Sequence, residues 1–154
     1  MTDWIRVRGV VKAGHGVASG QSGDRRFPKG TIAMQKALFE ERGLNLDGYY
    51  LGTINLSIAP HQYEVKQAKH TFRRVKWSKT EPAEDFSFFD CRLVLPNGLI
   101  LGYIYYPHPE TKPEHFQPPD ILEIISPFMP GLHYGQELGA SQLRSKFSLA
   151  CKLT

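Results

Sequence analysis

Little in this chain speaks for secretion or a membrane. No apolar run is long enough to span a bilayer. The opening residues MTDWIRVRG contain no apolar signal region, so the expected location is the cytoplasm, with no membrane partner. Cysteine is scarce: Cys91 and Cys151 are isolated, form no CxxC pair, and are expected as unpaired thiols in a reducing compartment. The histidines, at 15, 61, 70, 108, 115 and 133, lack the close spacing of a metal site. No nucleophile-elbow motif supports a Ser/His/Asp triad. Internal repeats and low-complexity tracts are absent. Asn55-Leu56-Ser57 matches a glycosylation sequon, which carries no weight without secretion.

What is present is ordinary globular chemistry. The 154 residues are 41% hydrophobic and 22% charged, enough for one domain with a real core. A single domain over 1–154 is expected, with 139–154 as a C-terminal tail. The net charge of +4 favours anionic partners such as nucleotides or phosphates. The basic residues are scattered rather than striped, which argues against nucleic acid.

The stretch Tyr50 to Ile58, YLGTINLSI, organises the rest. It alternates, with Ile54, Leu56 and Ile58 on a core-seeking face and Thr53, Asn55 and Ser57 on the other. Before it, Trp4 to Val11 reads as a strand with one wet face. A glycine-rich segment without periodicity follows, then a helix from a Thr31 cap to about Arg42. Met34, Ala37 and Leu38 share its inner face, Ile32 and Phe39 flank them, and Gly43 lies just past its end. Thr71 to Trp77 reads as a strand; His61 to Lys69 is polar and carries no clear pattern. Phe86 to Leu95 and Leu99 to Tyr106 are apolar strands joined by Pro96-Asn97-Gly98, where Asn-Gly is a hairpin signal. A proline-rich loop leads to a short buried strand, Ile121 to Ile125. Residues 134 to 154 are expected to hold a last strand and a short helix. Many short strands, hairpins and one helix point to a closed or nearly closed β-barrel.

Three segments carry possible chemistry. Lys12-Ala13-Gly14-His15-Gly16 offers glycines whose backbone amides can approach phosphate, with Lys12, Arg25, Arg26 and Lys29 adding positive charge. The Thr53 hydroxyl and the Asn55 amide carbonyl are two neutral oxygen donors pointing the same way. Such donors hold Mg²⁺ when a nucleotide's phosphates and water complete the shell; otherwise they are the wet face of a strand. Glu123 is an acid inside the apolar run ILEII, so it needs a partner, a job or an outward face. Tyr103, Tyr105 and Tyr106 are expected to pack rather than form a stacking platform.

In order, Gly9-Val10-Val11, Gly14-His15-Gly16, a helix ending at Gly43-Leu44, Gly52-Thr53-Ile54-Asn55-Leu56 and Asp120-Ile-Leu-Glu123-Ile-Ile-Ser-Pro127 resemble the archaeal CTP-dependent riboflavin kinase family. The resemblance spans roughly residues 5 to 138. It implies a mainly β, six-stranded cradle-loop barrel with one main helix. It also implies Mg²⁺ on Thr53 and Asn55, nucleotide against Ala13, Gly14, His15, Gly16, Val17 and Ala18, and flavin at Glu123. The implied reaction moves a phosphoryl group from CTP, or another nucleoside triphosphate, to riboflavin, giving FMN.

The chain departs from that family at specific places. Val17 and Ala18 replace an acid and a glycine of the loop; His115 stands where the family has threonine; Phe128-Met129-Pro130-Gly131 lacks the family's arginine. These departures leave two alternatives: a barrel that binds flavin, nucleotide or another phosphate ligand without turning it over, or a DNA-binding cradle-loop barrel, for which the basic balance is the sole support.

Overall fold

Alternation along the strands decides the architecture. A computed structural model describes residues 4–13, 30–111, 118–143 and 146–151. In β1 (Trp4–Lys12) Val7 and Val11 are buried while Arg6 and Arg8 are exposed. In β2 (Ile54–Ser57) Leu56 is fully buried, and its neighbours Asn55 and Ser57 are only half-buried. Each strand thus has one face for a core.

Six antiparallel strands carry that inner face round in a ring. β5 (Glu84–Leu95) pairs with β6 (Gly98–Pro107), β6 with β7 (Ile121–Ile125), β7 with β2, β2 with β1, and β1 with β8 (Glu137–Leu143). β8 then returns to β5 through Arg92↔Ser141, Leu93↔Ala140 and Val94↔Gly139. β4 (His70–Val75) is the seventh strand of the sheet and pairs with the first part of β5, leaving the last part for β8. Separately, β3 (His61–Val65) pairs with β9 (Phe147–Cys151).

Close approach shapes the ring at two glycines. A methyl group on Gly102 would lie 2.6 Å from the Ile125 carbonyl oxygen, and one on Gly9 would lie 2.6 Å from the Leu56 side chain. Only glycine lets these neighbouring strands pass so near each other.

The described residues form two cores. Inside the ring, Val7, Val11, Leu56, Leu93, Ile104, Leu122, Ile124 and Ala140 meet. Outside it, α1 (Thr31–Glu41) lays Ile32 and Phe39 against Phe72, Phe86 and Phe88. Alternation along β5 serves both, with Phe86 and Phe88 outward and Phe89, Cys91 and Leu93 inward. The Phe39 ring meets Phe86 and Phe88 edge-on at 5.0 Å each, contacts worth about 0.5–1.5 kcal/mol apiece beyond the burial itself.

Several local expectations are revised. Gly30 (φ 91°) holds the position before the helix and no side chain caps it, while Thr31 is the first helical residue and is buried. The buried stripe is Thr31, Ile32, Gln35 and Phe39; Met34 and Leu38 pack half-buried beside it, and Ala37 is exposed. The physical reason is Tyr105, whose buried hydroxyl donates to Gln35 Oε1 at 2.7 Å and so turns a polar residue inward. The helix does end just before Gly43, which has φ 101°. In the β5–β6 hairpin Leu95 pairs with Gly98, so Pro96-Asn97 forms the turn and Gly98 (φ 151°) takes the positive φ in place of Asn97. His61 to Val65 is a strand. Past residue 134 the described residues form two strands rather than a strand and a helix.

β4 carries a bulge that the sequence does not announce. Its register with β5 shifts between Phe72 and Val75, and Arg74 sits at φ 53°. The Asp85 carboxylate holds this turn, accepting the Arg74 backbone N–H at 2.9 Å and Arg73 Nη1 at 3.0 Å. Among the described residues, no helix is long and apolar enough to cross a membrane.

Candidate functional site

The outer face of the ring carries a polar row across three strands. Lys12 is the register partner of Asn55, and Asn55 is the register partner of Glu123. Leu56, Leu122, Ile124 and Val11, their sequence neighbours, point into the inner core. By alternation Lys12, Asn55 and Glu123 therefore share the opposite face. Thr53 immediately precedes β2, is half-buried, and falls on that face two residues before Asn55. The row thus gathers an ammonium group, an amide, a hydroxyl and a carboxylate.

Glu123 is half-buried on β7, which is paired on both sides by β2 and β6 and so is not an edge. Its charge reaches its neighbours. Burial raises the Tyr105 phenol well above its ordinary pKa, and the carboxylates of Glu123 and Glu84 add to that rise. Burial, then Tyr106, then Glu123 raise the Tyr63 phenol. Both phenols remain protonated donors throughout the physiological range. Tyr105 packs in the outer core, as expected of it, and its hydrogen bond to Gln35 ties the helix to the strand beside Glu123.

Of the residues that the sequence assigns to nucleotide binding, Ala13 is exposed and leaves β1 directly after Lys12, at the Thr53 end of β2. Gly14, His15, Gly16, Val17, Ala18 and His115 lie outside the described residues. The described chain resumes at Pro118. It enters β7 beside the far end of β2, where the Ile58 N–H donates to the Asp120 carbonyl at 2.8 Å and Ile121 pairs with Ser57.

The donors present suit Mg²⁺ only together with a ligand. Among the described residues no group of three His, Cys, Asp or Glu side chains could hold a metal ion. Thr53, Asn55 and Glu123 offer hard oxygen donors, the chemistry Mg²⁺ takes, and with only one carboxylate among them they need a ligand's phosphates to complete the set.

Two features escape the sequence reading. Tyr50 (43% exposed) and Phe128 (68% exposed) place their rings 5.7 Å apart. They sit at the Thr53 end of the row, where the Tyr50 N–H donates to the Ser126 carbonyl at 3.0 Å. Tyr50 only opens an alternating run and Phe128 lies outside any, so the pairing of chain segments is what brings them together. The second is a cavity of about 260 Å³ lined by Lys69, Asp90, Gln142 and Lys146 together with Phe89 and Phe147; Thr53, Asn55 and Glu123 do not line it. Its one signal in the sequence is Gln142, the polar residue that continues the inward series Leu138, Ala140.

No protein-family model matches this chain, and none of the curated proteins matches it.

Proposed function

We propose that the chain is a Mg²⁺-dependent phosphotransferase of the riboflavin-kinase kind, its six-strand ring being the cradle-loop barrel of that family. The observation that carries the proposal is the register Lys12–Asn55–Glu123 on the outer face, beside Thr53. Under this reading the Thr53 hydroxyl and Asn55 carbonyl hold the cation, and Lys12 faces the phosphates of CTP or another nucleoside triphosphate. Bound Mg²⁺ supplies charge neutralisation of the transferred phosphoryl group. The remaining work is positioning. The riboflavin 5′-hydroxyl oxygen attacks the γ-phosphorus, the bond from that phosphorus to the bridging oxygen breaks, and the nucleoside diphosphate departs. Glu123 orients the hydroxyl and accepts its proton. The exposed Tyr50 and Phe128 rings are tilted 46° to each other, so a planar flavin would stack on one of them, with the other at its edge.

The test is turnover. Purified protein is incubated with riboflavin, Mg²⁺ and each of the four nucleoside triphosphates, and FMN is separated by chromatography. FMN from at least one donor, abolished by EDTA, supports the kinase. The departures at Val17, Ala18, His115 and Phe128 to Gly131 favour a second reading, a barrel that binds the same ligands without turnover. Thermal stabilisation by flavin or nucleotide with no FMN from any donor would select that reading and remove the kinase.

A further inference from the structure

Arginines scattered along the chain meet on the outer face of the ring. Arg6, Ser141, Arg92 and Leu101 are successive register partners across β1, β8, β5 and β6. Arg8, Gly139, Val94 and Leu99 form the next row. Val7, Ala140, Leu93 and Ile100, their sequence neighbours, pack into the inner core, so both rows face outward. Trp4 lies two residues before Arg6 on the same face, and the Arg92 guanidinium lies over its ring at 3.7 Å.

The charge on this face is one-sided. Arg8 pairs with Glu137 at 3.5 Å. Arg6 and Arg92 have no carboxylate within ion-pair distance among the described residues. Asp90, two residues before Arg92, is already paired with Lys69. Two positive charges are left over. Beside them Leu99 is 57% exposed and Leu101 is 65% exposed. The helix α1 covers β5 and β6 only further along, at Phe86, Phe88 and Tyr105.

One kind of partner uses all of these groups. A second copy in a two-fold contact would set arginine against arginine. A nucleic-acid strand would use the arginines and the tryptophan but leave the leucines in water, and the convex outside of a ring gives it no groove. An anionic bilayer takes the leucines into its acyl boundary, the tryptophan at headgroup level and the arginine heads against lipid phosphates. We propose that this face docks the protein peripherally on an anionic lipid bilayer. Such docking needs no membrane-spanning segment. The face lies across β1, β8, β5 and β6, the polar row across β1, β2 and β7, so the proposal stands whether or not the kinase reading does.

The test is sedimentation of the full chain with vesicles of phosphatidylcholine, alone or mixed with phosphatidylglycerol. Anionic vesicles reach half-saturation below about 1 mM lipid, on the order of what a single acyl anchor achieves. Neutral vesicles bind at least tenfold more weakly, and added salt weakens the anionic case. Arg6→Gln combined with Arg92→Gln lowers the affinity about 25-fold, roughly fivefold for each charge. Leu99→Ser combined with Leu101→Ser lowers it at least tenfold and leaves Tm unchanged, because both side chains are exposed. Three outcomes overturn the proposal: no binding at millimolar anionic lipid in low salt, equal binding to neutral vesicles, or either double variant binding as wild type does. Arginine-dependent binding of a single-stranded oligonucleotide without vesicle binding also overturns it, and assigns the face to nucleic acid.

Discussion

Replacing Asp85 tests how the β4 bulge is held. Its carboxylate is 15% exposed, accepts the backbone N–H of Arg74, and pairs with Arg73, which is 64% exposed. The exposed ion pair is worth under about 1 kcal/mol. The hydrogen bond from the backbone to a charged acceptor is worth about 1.5–3 kcal/mol, so it dominates. It also holds Arg74 in a left-handed conformation that itself costs about 1–2 kcal/mol. Asp85→Ala should therefore cost about 2–3 kcal/mol, or a Tm loss of about 4–12 °C for a chain of this size. Asp85→Asn keeps a carbonyl acceptor for Arg74 and should cost about 1 kcal/mol, mostly the lost charge. Acid adds a second arm. The Arg74 backbone hydrogen bond, then Arg73, hold the Asp85 pKa below its ordinary value. Its stabilisation is thus complete above the unfolded value, about 3.9, and is lost as pH falls through the lower folded value. Thermal melts by circular dichroism at pH 7 and at about pH 3 should show the gap between wild type and Asp85→Ala narrowing in acid. Equal losses for the Ala and Asn variants, or a gap that persists unchanged in acid, would refute the assignment of this carboxylate as the holder of the bulge.

Tyr105→Phe should destabilise by about 1–3 kcal/mol in urea titrations, because Gln35 Oε1 loses its buried donor; adding Gln35→Leu should recover most of that loss. Gly102→Ala should lower stability by about 1–3 kcal/mol and speed amide exchange in β6 and β7, since the new methyl meets the Ile125 carbonyl oxygen, a backbone atom that cannot swing aside. Phe39→Ala should cost about 3–5 kcal/mol and release the helix first, seen as loss of exchange protection in Thr31–Glu41, because the ring is fully buried against three phenylalanines.

Strands with strong alternation were legible in the sequence. Ile121 to Ile125 has the bounds its apolar run suggests, and the β5–β6 hairpin joins the two runs on either side of Pro96 to Gly98. The polar row was half legible. Alternation assigns Thr53 and Asn55 to one face, but that Lys12 and Glu123 flank Asn55 depends on strand order, which no local pattern encodes. The return of β8 to β5 is hidden for the same reason, as it joins Val94 to Gly139 across the chain. The helix face was legible in part, since Met34 and Leu38 do pack against the core that holds Ile32 and Phe39; Gln35 was missed because apolar periodicity ignores hydrogen bonding, and it is buried for the sake of a tyrosine far along the sequence. β3 escaped notice because its polar side chains, half-buried against β9, give no apolar stripe.

The binding of Mn²⁺, in place of Mg²⁺, to the protein with CTP tests most directly whether side-chain oxygens of this strand hold a cation beneath phosphate. Water-proton relaxation would be measured for wild type, Asn55→Ala and Ser57→Ala, the last altering the same face one step further along β2. The expected result is a ternary enhancement in wild type and Ser57→Ala that disappears in Asn55→Ala. An enhancement of equal size in Asn55→Ala, or none in folded wild-type protein, would contradict it.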